Sequence, residues 1–409
     1  MTPETQRLRE IAKQTVELAN APVQDQRRAL WTRHNSLDFT RPPVLVRCFA
    51  FDEQIQDDSI FSTHPYMQRV EYDMRRNLMR QQLGDDSILE PYIPITACYT
   101  TADADRWGIP MEMSEKENET DAAHYLPQLV EEEDFAKLRK PKYEIDRAKT
   151  QEKFDMVNDA IGDIIPVALS KNSICGHFYY SDISTELGYM LGMENMMYYM
   201  YDKPEFVHKI VEFMTNAMIE NLKSAESAGQ LGNIFANNQA MPYCKELPAP
   251  DKDLTGLKLD QLWNFQAAQE FALISPEMHK EFLLDYQVKL MSLYGASAYG
   301  CCEDLSQKID ILRAIPNLRR IAVTPFANAP KCAEQIGGDY IASWRPHPTM
   351  VLDFDPDYTR KTVKEHIDLF KANNCKFDVT LKDVETTGGN PENVVRWLKI
   401  VREEINKAF

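Results

Sequence analysis

Short apolar segments alternate with helical segments through the last third of the chain, and this alternation constrains the fold more than any other feature. Segments rich in Val, Ile, Ala and aromatic residues lie at 296–301, 318–323, 340–344 and 377–381, and a segment with helical periodicity follows each of them. Strands that are joined through helices need crossover connections, which make the sheet parallel. The pattern therefore predicts an α/β protein.

Earlier segments extend the same pattern towards the N-terminus. Further strand candidates lie at 44–49, 92–99, 164–169, 232–236 and 259–265. Among the segments between strand candidates, helical periodicity predicts one helix near 182–200 and another from 275 to about 293. With eight or nine strand candidates in all, a closed (β/α)8 barrel of the TIM type is the favoured architecture. A doubly wound open sheet is the alternative.

Two segments fall outside the strand–helix alternation. Residues 1–40 have helical periodicity and predict an N-terminal helical extension. Residues 101–148 contain an acidic run, Glu131–Asp134, and little regular pattern, so we expect an insertion at one face of the barrel. The prediction is a single barrel domain over residues 1–409 with these two additions.

Charge and cysteine usage narrow the class of protein. The net charge of −17 repels phosphate backbones and argues against nucleic-acid binding, but it would favour a partner with a basic face. The apolar stretches are short and interrupted, and the charged N-terminus lacks the apolar region of a signal peptide, so we expect no membrane segment. Eight irregularly spaced cysteines predict reduced thiols in the cytoplasm.

Catalytic groups of a barrel enzyme lie at the C-terminal ends of the strands, and the segment Tyr299–Asp304 is the strongest candidate. Its sequence, YGCCED, places Cys301, Cys302 and two carboxylates in consecutive positions at a predicted strand end. Thiolates and carboxylates both bind zinc, and an open fourth position would make the site catalytic. Alternatively, one thiol lies in the core and the other at the surface, with Glu303 and Asp304 as the acidic first turn of a helix.

The segment after the strand candidate at 259–265 offers a third metal ligand or an acid–base group. Gln266 and Glu270 lie there among apolar residues, and Gln266 is a candidate substrate-binding residue. Glu270 could bind a metal ion or transfer a proton. The segment is equally compatible with a surface turn that has no chemical role.

Two more strand ends could line a substrate pocket. His177, Tyr180 and Asp182 follow one strand candidate, and Trp344 and Arg345 close another. The Arg345 guanidinium could hold an anionic group of a substrate. Asp182 could instead be only the N-cap of the next helix.

Taken in order, these segments resemble the uroporphyrinogen decarboxylase superfamily and, within it, the cobalamin-dependent methyltransferase branch. The shared elements are SPEMHKEF at Ser275, YGCCE at Tyr299, IPNLRRIAVTP at Ile315 and YIASWRPHP at Tyr340. Members of that superfamily are (β/α)8 barrels, so the resemblance implies the same fold.

The resemblance also implies a zinc site. Methyltransferases of this branch bind zinc in part through a His-x-Cys-Gly element at a strand end. Here Tyr299 stands at the histidine position when Cys301 is aligned with the cysteine, and Gly300 does when Cys302 is aligned. The resemblance therefore implies Cys301, Cys302 and Glu270 as zinc ligands, with Glu270 or Glu303 compensating for the lost histidine. It also implies Tyr299 and Glu270 as catalytic residues.

The reaction implied by the resemblance moves a methyl group from a small O-, N- or S-methyl donor to the cob(I)alamin of a separate corrinoid protein. Zinc would act as a Lewis acid on the donor heteroatom. The sequence has no corrinoid-binding Asp-x-His-x-x-Gly segment, so a partner would bring the cobalamin. The resemblance also allows a homodimer.

Two alternatives remain open at this point. A metal-independent decarboxylase-like enzyme would act on a carboxylated substrate and would use cations such as Arg47 and Arg345. The arginine-rich segment that binds propionates in the true decarboxylase is reduced here to Arg47, which argues against a porphyrinogen substrate. A non-catalytic binding protein could use the same barrel.

Overall fold

The structure is a computed structural model, and within the described residues eight strands lie at the centre of the molecule. The described residues are 2–38, 40–48, 50, 53, 55, 60–101, 107–115, 118, 124–176, 182–233 and 241–409. Strands β1 to β8 are Val44–Cys48, Ile93–Thr96, Val167–Ser170, Trp263–Gln266, Ala296–Tyr299, Leu318–Val323, Ile341–Trp344 and Lys376–Val384. Each pairing between these strands is parallel.

The strand order follows that of a (β/α)8 barrel, although the described strand pairs form two sheets and not one closed ring. One sheet has the order β1-β8-β7-β6-β5-β4, and β2 pairs with β3 in a second sheet. The first strand pairs with the last, with Val44 opposite Val379, whereas a doubly wound sheet reverses its strand order at a switch point in the middle. The predicted (β/α)8 fold class is therefore confirmed.

Helices precede the first strand and follow most of the others. Helices α1 to α14 are Pro3–Ala19, Pro22–Asn35, Pro65–Leu83, Arg147–Ile161, Ile183–Leu191, Met193–Asp202, Pro204–Ser227, Pro276–His279, Asp285–Met291, Ile309–Leu312, Ala329–Ile336, Thr349–Leu352, Pro356–Ala372 and Glu392–Ala408. None of the described helices is both long enough and apolar enough to span a membrane.

The structure differs from the sequence-based expectation at two helices. The helix predicted at 182–200 is divided at Gly192 into α5 and α6. The helix predicted at 275–293 contains a π-helical turn, Lys280–Leu284, between α8 and α9. The strand predicted at 232–236 lies mostly outside the described residues, and its first residue, Gly232, forms an isolated bridge with Thr255.

A buried polar network fills the barrel near the N-terminal ends of β6, β7 and β8. Asp378 accepts hydrogen bonds from Arg320 at 2.6 Å and from Ser343 at 2.9 Å, and its Oδ2 lies 3.3 Å from Nε2 of His34. Helix α2 supplies His34 and also the fully buried Trp31. The second N-terminal helix therefore packs across this end of the barrel and leaves the opposite end for the strand-end residues.

Candidate active site

Cys301 and Cys302 lie together where β5 ends. Gly300 has a φ of +96°, a backbone conformation that favours glycine. A Cβ at this position would lie 2.9 Å from the Cβ of Ala322. Because the chain turns at Gly300, the sulfur atoms of Cys301 and Cys302 lie 3.7 Å apart instead of on opposite faces of a strand.

Lys382, which the sequence analysis did not select, contacts both thiols. Its Nζ lies 3.2 Å from Sγ of Cys301 and 3.3 Å from Sγ of Cys302. It also forms an ion pair with Asp383 at 3.1 Å, and Asp383 Oδ2 lies 3.6 Å from Sγ of Cys302. The non-glycine residue Asp383 has a φ of +60°, and such strained positions are concentrated at functional sites.

The charges around the two thiols make them chemically different. A hydrogen bond from the Cys302 thiol makes the largest contribution to lowering the pKa of Cys301, and attraction to Lys382 and Arg345 lowers it further. Burial opposes these effects. The same hydrogen bond and burial raise the pKa of Cys302. The pair therefore favours a thiolate at Cys301 beside a thiol at Cys302, and the thiolate is the nucleophilic form of cysteine.

Arg345 supports the turn that carries the thiols. Its side chain is buried, and the guanidinium donates hydrogen bonds to the backbone carbonyls of Cys301 and Gly300. These bonds direct two of its nitrogen atoms at the backbone. The structure thus places Arg345 beside the thiol pair, as a group that fixes the position of the turn.

Glu303 joins the ends of β4 and β5. One carboxylate oxygen accepts a hydrogen bond from the backbone N–H of Cys301 and the other from the backbone N–H of Ala268, both at 2.8 Å. The side chain is only 3% exposed. Both oxygens therefore orient the loops that follow β4 and β5.

Glu270 and Asp182 meet at the beginning of helix α5. The carboxylate of Glu270 accepts hydrogen bonds from the hydroxyls of Ser184 and Thr185. Asp182 caps the helix by accepting from the backbone N–H of Ser184, and burial together with the charges of Glu270 and Glu303 raises its pKa well above the ordinary value. The environment of Asp182 therefore favours the neutral, protonated form of its carboxyl group.

Tyr299 and Gln266 lie on the face of the sheet that packs against helices α8 and α9. The Tyr299 hydroxyl donates a 2.7 Å hydrogen bond to Gln287, and it lies 2.9 Å from Nε2 of His279. The amide of Gln287 reaches the side-chain oxygen of Gln266 at 3.4 Å. This buried network is separate from the contacts of the thiol pair.

The remaining predicted pocket residues are not brought to the thiols by any described contact. Trp344 stacks on His366 of helix α13 with ring centroids 4.3 Å apart, so its ring lies between the sheet and the helices. His177 and Tyr180 lie outside the described residues.

The sulfur atoms of Cys301 and Cys302 are two of the donors that the predicted zinc site would use. Two thiolates on one tetrahedral zinc ion, each about 2.3 Å from the metal, lie about 3.8 Å apart, and the two sulfurs have nearly this separation. However, in the described part of the chain no three His, Cys, Asp or Glu side chains are arranged to hold a metal ion. The ammonium group of Lys382 also lies against both sulfurs. The described side chains therefore do not fit a complete zinc site.

Comparison with known proteins identifies a solved structure of similar fold. No protein-family model and no curated protein matches the sequence. Among solved structures, the chain is similar to one described as a methyltransferase from Methanosarcina mazei, with a TM-score of 0.52, 13% sequence identity and coverage of 93% of this chain and 98% of that chain. At this identity the likeness establishes the shared fold.

Proposed function

We propose that this protein is a methyltransferase that moves a methyl group from a small O-, N- or S-methyl compound to the cob(I)alamin of a separate corrinoid protein. The observation that carries the proposal is the cluster of Cys301, Cys302 and Lys382 at the C-terminal end of the barrel strands, where barrel enzymes have their active sites. The resemblance of the YGCCE segment to the methyltransferase branch supports the same reaction.

Lys382 is the residue that would assist departure of the donor heteroatom. As the bond between the methyl carbon and the heteroatom breaks, the electron pair passes to the heteroatom, which takes a proton from the Lys382 ammonium group. The anionic sulfur of Cys301 orients that ammonium group. The corrinoid protein would supply the nucleophile that accepts the methyl group.

The loops around the thiol cluster favour a protein partner. Leu273 follows β4 and is 91% exposed, and Phe326 follows β6 and is 68% exposed. A corrinoid protein docked at this end would bury both side chains, and burial of apolar surface stabilises protein complexes. Both loops leave the same ends of the strands as the thiols, so a bound corrinoid protein could cover the cluster.

The test is methyl transfer to a reduced corrinoid protein from a panel of methyl ethers, methylamines and methyl thioethers, followed by the absorbance of methylcobalamin. We expect one class of donor to react with the wild-type chain and with Cys332→Ala, which alters a buried cysteine of helix α11. The variant Cys301→Ala should lose the reaction. The absence of methylcobalamin with every donor, or full activity of Cys301→Ala, would contradict the proposal.

A decarboxylase-like reaction is the second candidate, and Lys382 is the observation that favours it. An ammonium group near the barrel mouth could hold the carboxylate of a substrate. This function predicts release of carbon dioxide from a carboxylated substrate without a corrinoid acceptor. Release of labelled carbon dioxide from a panel of carboxylic acids therefore distinguishes the two reactions.

A further inference from the structure

We infer that Lys382 takes the place of a metal ion in this site, so that an ammonium group contacts both sulfurs and balances the charge of the thiol pair. This inference rests on the proposed function only for the location of the site. It concerns which cation the thiol pair holds, and it makes the proposed methyl transfer a metal-independent reaction.

Distances around Lys382 are the first argument. Its Nζ is nearly equidistant from the two sulfurs, at 3.2 Å and 3.3 Å. With the sulfurs 3.7 Å apart, a zinc ion bound to both at about 2.3 Å would lie no more than about 4 Å from Nζ on either side of the pair. A doubly charged ion that close to an ammonium group is repelled strongly.

Burial and the neighbouring charges are the second argument. The Lys382 side chain is only 7% exposed, and a buried ammonium group needs partners of opposite charge or hydrogen-bond acceptors. Cys301, Cys302 and Asp383 provide these partners. Binding of a metal ion would have to displace Lys382 from these three partners. The buried ammonium group would then have no partner among them to offset its charge.

A proton donor in this site can therefore activate the leaving heteroatom, a task for which related chemistry uses a Lewis acid. A Lewis acid makes a heteroatom a better leaving group by withdrawing electrons. Protonation by Lys382 has the same effect on the departing atom. The thiolate of Cys301 acts here as the counter-ion that holds the ammonium group at the strand ends.

The experiment is a titration of the complete, reduced protein with Cd²⁺, read from the ultraviolet charge-transfer band of cadmium thiolates. The variants are Lys382→Met, Lys382→Arg and the matched control Lys376→Met, at the opposite end of the same strand. We expect weak binding by the wild type, Lys382→Arg and Lys376→Met. Lys382→Met should bind at least about tenfold more tightly, because the repelling charge is gone. The gain should vanish when Cys302→Ala is added.

Equal affinities of the wild type and Lys382→Met would overturn the inference. Stoichiometric zinc bound through sulfur in the wild-type protein, purified from zinc-containing medium, would overturn it as well and requires no variant to fold. The titration contains no methyl donor. Failure here therefore leaves the methyl-transfer assay unaffected, and a negative methyl-transfer assay leaves the metal result intact.

Discussion

Asp378 is a buried carboxylate with several polar partners in the network at the N-terminal end of the barrel. Burial alone would raise its pKa, but Arg320 and His34 lower the pKa to about 2 from the ordinary 3.8. A carboxylate whose pKa is lower in the folded than in the unfolded protein stabilises the fold at pH values above its unfolded pKa. That stability is lost as the pH falls through its folded pKa. Asp378 should therefore contribute stability above about pH 4 and lose it towards about pH 2.

The variant Asp378→Asn tests this contribution. At pH 6 we expect it to lower the free energy of unfolding by at least about 2 kcal/mol, because Arg320 loses its charged partner. The difference from the wild type should shrink as the pH is lowered towards 3, measured by urea unfolding at each pH. Asp357→Asn, at the exposed beginning of helix α13, should have little effect. A pH-independent difference for Asp378→Asn would contradict the electrostatic account.

At the residue scale the sequence revealed the thiols but missed the lysine. Cys301 and Cys302 were selected because two thiols and two carboxylates are unusual at a strand end. Lys382 was missed because the β8 candidate was ended at Leu381, whereas the strand extends to Val384. Inward-facing residues of β8 recur at Asp378, Thr380 and Lys382 with the period of two that strands have, so a longer strand assignment would have found the lysine.

Helix α5 and helix α6 are separated by a glycine that side-chain periodicity could not reveal. Gly192 has a φ of +70° and a ψ of 151°, a combination that is almost restricted to glycine. A Cβ at this position would lie 2.9 Å from Cγ of Pro127. The apolar period of 3.6 residues continues across the break, so the sequence predicted one helix.

Replacement of Gly192 by alanine should destabilise the protein because it combines backbone strain with a steric clash. We expect a loss of about 3 kcal/mol in the free energy of unfolding. Gly229→Ala is the control, since Gly229 also has a positive φ, of +66°, but a Cβ at that position would have no neighbouring heavy atom within 4 Å. That variant should cost roughly 1–2 kcal/mol. Equal losses in chemical denaturation would show that the contact with Pro127 is unimportant.

At the element scale, strands were easier to predict than the details of helices. Buried parallel strands are short apolar runs between turn residues, and most of the candidates match observed strands within a few residues. The π-helical turn at Lys280–Leu284 has no clear sequence signal, because one widened turn leaves the apolar pattern almost unchanged. Contacts such as that of Glu303 with Ala268 depend on the packing of distant strand ends and could not be foreseen.

The whole molecule carries a net charge of −17, which bears on the proposed docking of a corrinoid protein. If the corrinoid protein presents a basic face, the rate of association should fall as salt screens the attraction. We expect methyl transfer to the corrinoid protein, at limiting partner concentration, to slow at least about tenfold between about 0.01 M and 0.15 M ionic strength. Transfer to cobalamin free in solution is the control and should change much less. Equal salt dependence would argue against charge-guided docking.

The central claim is that the cluster of Cys301, Cys302 and Lys382 performs methyl transfer without a metal ion. The most direct measurement is the single-turnover rate of methylcobalamin formation by metal-free wild-type protein, Lys382→Met and Lys376→Met. We predict that Lys382→Met is slowed at least about 100-fold, the contribution typical of a lost general acid, and that Lys376→Met reacts at the wild-type rate. Full activity of Lys382→Met, or activity of the wild type only after addition of zinc, would contradict the claim.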